Sequence, residues 1–85
     1  MKKPSKRKYY QDEDFLKKVG ENIRRIRLEK GMTQMELAYA CNDIDYSQIN
    51  RMERGKVNFS VSYLSLLAQA LETTPDVFVI QIKEK

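Results

Sequence analysis

Residues 46–54, YSQINRMER, bring hydroxyl, amide and guanidinium groups together within a few turns of chain. The segment follows Asp45, an N-cap candidate, and stops before Gly55, which can adopt the left-handed conformation of a helix end. On such a helix Ile49 and Met52 would face a core, leaving the polar groups on the outer faces. These polar groups hydrogen-bond to base edges and phosphates. The segment therefore predicts a helix that reads duplex DNA, with an ordinary solvated helix face as the alternative.

A shorter helix is predicted just before this segment, beginning at Thr33. Thr33 and Glu36 have the spacing of a capping box, in which the side chain of each residue accepts a hydrogen bond from the backbone N–H of the other. The apolar face that follows comprises Met35, Leu37, Ala38 and Cys41. Asn42 and Asp43 then favour a turn, because their side chains bond to nearby backbone groups. Two short helices joined by a tight turn are a common way to present the second helix to a DNA groove.

The motifs GENIRRIRLEKG, TQMELA, INRMERG and FSVSYLSLLAQAL follow one another along most of the chain. In this order they resemble the helix-turn-helix domain of the Cro/CI repressor type, also called the XRE type, over about residues 16–79. The resemblance implies an all-α, lambda-repressor-like domain of five helices with a central helix-turn-helix. Among small members the chain looks most like stand-alone regulators such as restriction-modification controller proteins. One departure is ACNDID, which is one residue longer between the two helices than the commonest form.

Residue type and the resemblance together indicate which side chains contact DNA. The candidates for base-edge or adjacent contacts are Tyr46, Ser47, Gln48, Asn50 and Arg51. An arginine can pair with guanine, and an asparagine with adenine, through two hydrogen bonds each. The remaining candidates, at a helix start or in a loop that resembles a phosphate-contacting segment, are Thr33, Gln34, Arg54, Lys56 and Asn58. For Gln34 and the loop, the alternative is an exposed polar position without a DNA contact.

The first helix is predicted over residues 15–30, where an apolar stripe recurs every three or four residues and Gly31 follows. The stripe consists of Leu16, Val19, Ile23 and Ile26. Gly20 lies on or beside it, where the absence of a side chain would admit another helix. In the family that the chain resembles, the arginine equivalent to Arg27 commonly pairs with the glutamate matching Glu53. The resemblance therefore implies an ion pair that ties the first helix to the reading helix.

A further helix is predicted after Ser60, an N-cap candidate. Its apolar face comprises Val61, Leu64, Leu67, Ala68 and Leu71. Thr74 and Pro75 then predict the start of another helix, with Thr74 as its N-cap and Pro75 as its first residue. The final segment, VFVIQIKEK, fits a short helix or, by alternation, a strand. Its apolar surface exceeds what one small domain needs, which predicts a homodimer interface formed by Val77, Phe78, Ile80 and Ile82.

Length and composition limit the chain to one small domain and argue against catalysis. The 85 residues allow a single small core. With no histidine and with Cys41 as the one cysteine, the chain lacks the residues for a Cys/His zinc site, an internal disulfide or a Cys-His nucleophile pair. We therefore predict no enzyme activity, metal or cofactor. Cys41 is expected to be a small buried residue. The single cysteine favours a reducing interior, and no apolar run approaches the length of a signal-peptide core or a membrane span, so the cytoplasm is the expected compartment.

The positive charge lies in the part of the chain that contains the motif. Residues 1–56 hold 14 Lys and Arg against 9 Asp and Glu, a net charge of +5, whereas residues 57–85 hold 2 against 3, a net charge of −1. This asymmetry favours a polyanionic partner. Residues 1–11 include five cationic residues and predict a flexible basic arm. The arm would follow the DNA backbone or enter a minor groove, or else serve as a solubilising tail.

The sequence thus predicts a basic arm over residues 1–11, a helix-turn-helix domain over 12–79, and a tail over 80–85 that contributes to a dimer interface. The predicted function is sequence-specific binding of double-stranded DNA by a homodimer that regulates transcription at a partly palindromic operator. One alternative is an antitoxin that binds both DNA and a toxin protein. Another is a protein-interaction module that has lost DNA binding.

Overall fold

The computed structural model describes residues 10–80, which form four α-helices and a 3-10 helix. The α-helices are α1 (Glu13–Glu29), α2 (Gln34–Ala40), α3 (Tyr46–Glu53) and α4 (Val61–Ala70), and the 3-10 helix is Pro75–Phe78. Because this range contains no strand, the all-α class is confirmed. Most of the predicted basic arm, and Ile82 of the predicted dimer interface, lie outside the described residues. Between residues 10 and 80 no helix combines the length and apolar character needed to cross a bilayer.

Each of the first three helices begins after a residue whose side chain accepts a hydrogen bond from a backbone N–H of the first helical turn. Asp12 accepts from the backbone N–H of Phe15 at 3.0 Å, and Asp45 accepts from that of Ser47 at 3.1 Å. The predicted capping box is present at the start of α2, with both of its hydrogen bonds formed. Ser60 is the N-cap residue of α4, as predicted, although its side chain makes no cap hydrogen bond. Local sequence thus fixes three of the four helix starts.

The core lies between the four α-helices and is closed by the 3-10 helix. It consists of Val19, Ile23, Ile26, Leu37, Ala38, Cys41, Ile49, Met52, Leu67, Ala68, Leu71 and Phe78. The apolar faces predicted for α2 and α4 are wrong at Met35 and Val61, which are exposed. Met35 lies about a third of a turn from the centre of the buried face formed by Leu37, Ala38 and Cys41. Val61 is the first residue of α4 and extends beyond the edge of the core.

The predicted fifth helix is only a 3-10 turn. The backbone N–H groups of Val77 and Val79 bond three residues back, to Thr74 and Asp76, and the β-branched valines add little helix propensity. Phe78 is completely buried, and its carbonyl accepts a 2.9 Å hydrogen bond from the buried Asn22 of α1. The prediction that Phe78 forms part of a dimer interface is therefore wrong, because its own chain already covers the ring.

The turn between α2 and α3 contains two successive residues in the left-handed region. At the ends of α1 and α3 a single glycine takes positive φ, Gly31 at 73° and Gly55 at 70°. Between α2 and α3, two successive residues do so, Asn42 at 60° and Asp43 at 58°. The N–H of Ile44 then bonds to the carbonyl of Ala38 at 3.1 Å. Asn and Asp tolerate this conformation better than most residues, so the turn forms without a glycine. The one-residue difference from the commonest form of the motif stays a prediction.

A buried ion pair joins α1 to the end of α3. Arg27 donates from Nε to Glu53 Oε2 at 2.6 Å and from Nη2 to Glu53 Oε1 at 2.9 Å. Its third nitrogen, Nη1, donates to the carbonyl of Met32 at 2.8 Å. Both partners are buried, at 6% and 4% exposure. Two parallel hydrogen bonds between a guanidinium and a carboxylate fix direction as well as distance, so the pair sets how α3 lies against α1.

Gly20 lets the end of α3 approach the backbone of α1. A Cβ atom at this position would lie 2.4 Å from the carbonyl oxygen of Met52 and 2.5 Å from that of Glu53. Both distances are shorter than van der Waals contact, and both neighbours are backbone atoms that cannot move without shifting α3. The close approach anticipated at Gly20 therefore involves α3 itself.

Replacing Arg27 with alanine should lower the free energy of unfolding by about 3–5 kcal/mol, because Glu53 would be left buried without its cationic partner. Urea denaturation of the wild type and variant measures the change. Arg25→Ala is the matched control, since Arg25 lies on the same helix and the loss of its contacts, an ion pair with Glu29 and a hydrogen bond to Asn22, leaves no buried charge unpaired. That control should cost less than about 1 kcal/mol. If the free energy of unfolding fell equally in the two variants, the buried pair would contribute no more than the surface pair and the prediction would be wrong.

Gly20→Ala should destabilise the fold by about 1–3 kcal/mol, although alanine is the better helix former, because its methyl group would collide with the α3 backbone. Gly31→Ala is the comparison, since a Cβ there meets no atom within 4 Å and only the positive φ is strained. Thermal unfolding should rank Gly20→Ala as the less stable variant. A Gly20→Ala protein more stable than the wild type would contradict the close packing.

Candidate DNA-binding surface

Helix α3 places its polar side chains on the solvent side. Ile49, Met52 and Glu53 are buried, whereas Tyr46 is half-exposed and Arg51 is exposed. The other predicted reading residues, which are partly exposed, are Ser47, Gln48 and Asn50. The eight-residue helix therefore has one face in the core and a separate face of hydroxyl, amide and guanidinium groups. Groups of these kinds form hydrogen bonds with base edges and phosphates.

Two local contacts hold the outer face of α3 in place. Arg51 Nη2 donates to Gln48 Oε1 at 2.9 Å, so the amide orients the guanidinium one turn away. At the start of the helix, hydrogen bonds from the backbone and side chain of Ser47 lower the pKa of Asp45, and the positive charge of Arg51 lowers it further. The capping carboxylate therefore remains ionised at neutral pH. Arg51 keeps other N–H groups with which to contact a ligand.

The start of α2 is linked to α3 by a chain of side-chain hydrogen bonds. Gln34 donates from Nε2 to Glu53 Oε1 at 3.0 Å, and Gln34 Oε1 accepts from Asn50 Nδ2 at 3.3 Å. The two residues are 16 positions apart in the chain. No periodicity in the sequence indicates this contact, which depends on the angle between the two helices. It brings together a residue predicted to contact the DNA backbone and one predicted to contact a base.

The other predicted contact residues lie outside α3, at the start of α2 and in the segment that follows α3. Thr33 uses its side-chain oxygen to accept from the N–H of Glu36 at 3.0 Å, which leaves its hydroxyl hydrogen free to donate. In the loop after α3, Arg54, Lys56 and Asn58 are exposed. Asn58 Nδ2 donates to the carbonyl of Tyr10 at 3.3 Å. No spacing or motif in the sequence predicts this contact, which places the start of the described chain beside the loop.

Neither a metal cluster nor an activated thiol is found in the part of the chain that the structure describes. Within residues 10–80, no three carboxylate or thiol side chains are grouped closely enough to hold an ion. Burial of Cys41 raises the pKa of its thiol to about 11, which leaves very little thiolate at neutral pH. As predicted, Cys41 is a small residue of the core.

The comparisons with known proteins agree with this geometry. Residues 23–78 match the sequence model of the family described as helix-turn-helix. The chain is also 43% identical over 58 residues to the HTH-type transcriptional regulator y4dJ of Sinorhizobium fredii, covering 68% of this chain and 74% of that protein. The chain belongs to the helix-turn-helix family of transcriptional regulators. The matched range includes all ten predicted DNA-contacting residues as well as Arg27 and Glu53.

Solved structures of this helix-turn-helix family include controller proteins with the same fold. The restriction-modification controller protein C.AhdI from Aeromonas hydrophila superposes with a TM-score of 0.71 at 35% identity, covering 74% of this chain and 94% of that chain. The controller protein C.Esp1396I, solved as a tetramer in complex with its natural 35 base-pair operator, has a TM-score of 0.71 at 42% identity. That alignment covers 79% of this chain and 87% of the controller.

Proposed function

We propose that this protein binds double-stranded DNA sequence-specifically, as a homodimer, and thereby regulates transcription in the cytoplasm. The observation that carries the proposal is the outer face of α3, where Tyr46, Asn50 and Arg51 are accessible while Ile49 and Met52 anchor the helix in the core. A helix held in this way can enter a major groove without rearrangement of the fold. The operator complex of C.Esp1396I supports the same use for this chain.

The proposed division of roles follows from position and chemistry. Arg51, oriented by Gln48, would pair with guanine, and Asn50 would pair with adenine. Tyr46 and Ser47, in the first turn of α3, would contact neighbouring base edges or phosphates. The phosphate contacts proposed at either side of the groove come from Thr33, Gln34, Arg54, Lys56 and Asn58. The positive charge of residues 1–56 would accelerate association and make it sensitive to salt.

The proposed dimer interface lies at the C-terminal end of the fold. After correction for the buried Phe78, the predicted residues are Val77, which is partly buried, and Ile80, which is 55% exposed, together with Ile82 beyond the described range. The neighbouring Phe15 and Val79 add exposed apolar surface. A two-fold dimer would place two copies of α3 about 34–36 Å apart, one turn of the DNA helix, which matches two half-sites of a partly palindromic operator.

Selection of bound duplexes from a random pool by the purified protein tests the proposal directly. We expect an enriched sequence with two related half-sites, their centres separated by about 10–10.5 base pairs. Enrichment of a single unrepeated site would contradict the homodimer. If no duplex binds in a salt-dependent manner, the proposed function is wrong and a protein-interaction role is favoured.

The two kinds of predicted contact can be separated by one pair of variants. Arg51→Ala should reduce the preference at one base position by roughly 1–3 kcal/mol, whereas Lys56→Ala should weaken all sequences alike and flatten the salt dependence. Titrations of the selected site and its single-base variants, at several salt concentrations, measure both effects. The opposite pattern would show that the base-reading and phosphate-contacting residues have been assigned the wrong way round.

A further inference from the structure

Four side chains from three helices form a continuous chain of hydrogen bonds that ends on the reading face. Arg27 of α1 donates to Glu53 of α3, Gln34 of α2 donates to the same carboxylate, and Asn50 of α3 donates to Gln34. Glu53 is buried at the inner end, and Asn50 is partly exposed at the outer end. The buried ion pair is therefore linked, through Gln34, to a side chain that faces the proposed DNA groove.

The carboxylate at the inner end determines the direction of every later hydrogen bond. A carboxylate paired with a guanidinium can only accept, so Gln34 must turn its NH₂ group towards Glu53. This orientation leaves the carbonyl oxygen of Gln34 facing Asn50, which must in turn present its own NH₂ group. An amide that rotated by 180° would bring two acceptors or two donors together.

The outer end of the chain consequently has a fixed donor and acceptor arrangement. The NH₂ group of Asn50 has two hydrogens, and donation of one to Gln34 leaves one N–H and the carbonyl oxygen for a ligand. Adenine is read in the major groove by such an amide, whose oxygen accepts from N6 while its N–H donates to N7. An asparagine without a partner can exchange the two groups by rotating about its last bond, because that torsion has a broad profile.

We propose that Glu53, acting through Gln34, sets the direction in which the amide of Asn50 is presented to a base pair. Gln34 is then a positioning residue for base specificity, in addition to any contact that its second N–H makes with a phosphate. This inference rests on the proposed DNA-binding function. It adds that part of the sequence preference originates in a buried ion pair that does not touch DNA.

The test uses Gln34→Met in the full chain, because methionine keeps the length of the side chain but cannot relay a hydrogen bond. The ion pair should survive, since both of its Arg27–Glu53 hydrogen bonds are independent of Gln34. Gln69→Met is the matched control, as Gln69 is exposed on α4 and bonds only to Ser65 among the described residues. Asn50→Ala identifies the base pair that Asn50 reads.

Binding to the selected operator and to its single-base variants should show the following pattern. Gln34→Met should reduce the ratio of affinities for the preferred and other bases at the Asn50 base pair by roughly 10-fold, which is within the range for a good bidentate contact. The affinity ratios at other base pairs should remain unchanged. A lost phosphate contact would weaken all sequences equally and would not alter these ratios. In the double variant Gln34→Met/Asn50→Ala, the second change should cause no further loss at that base pair. Gln69→Met should reproduce the wild-type profile.

A second readout is independent of DNA. The side-chain NH₂ resonances of Asn50 in the free protein should shift in Gln34→Met and remain in place in Gln69→Met. A wild-type protein that prefers no sequence would overturn the proposed function itself. Clear wild-type preferences that persist in Gln34→Met would overturn only the positioning role. An Asn50→Ala variant with the wild-type preference at every position would overturn both the positioning role and the proposed base contact of Asn50, while DNA binding itself would stand.

Discussion

The ion pair between Arg27 and Glu53 is the constraint on which the arrangement of the other helices depends. A charged pair in a protein interior is stable only if the remaining hydrogen-bonding groups also find partners. Here those partners come from the α1–α2 connection, through Met32, and from the start of α2, through Gln34. One pair therefore joins α1, α2 and α3, while the apolar core around it supplies the stability.

The reading helix needs this support because it is too short to be stable alone. An isolated helix of eight residues does not form appreciably in water, so α3 exists because Ile49 and Met52 are packed in the core. Gly20 allows its C-terminal end to lie directly against the backbone of α1. Anchored at both its inner face and its end, α3 keeps its polar groups in fixed positions on the surface. Such preorganisation lowers the ordering cost of binding a rigid duplex.

Much of the fold could be predicted from the sequence, since it depends on local chemistry and periodicity. The capping box at Thr33, the glycine ends at Gly31 and Gly55, and the apolar stripe of α1 each follow from residues a few positions apart. Periodicity was less informative at helix ends and near the C-terminus, where Val61 is exposed and Phe78 is buried. Burial at those positions depends on which other element covers them, and spacing does not contain that information.

For the candidate site as well, some features follow from the sequence and others depend on how the helices pack. Residue types and the family resemblance indicated which side chains of α3 face outward, because the outer face is what remains once the core positions are assigned. Only the tertiary structure decided that Gln34 contacts both Glu53 and Asn50, and that Asn58 contacts the backbone of Tyr10. These contacts join residues far apart in the chain, and they depend on the angle at which whole helices pack. The sequence by itself therefore determined the chemistry of the surface, whereas the packing of the helices decided how its groups are oriented.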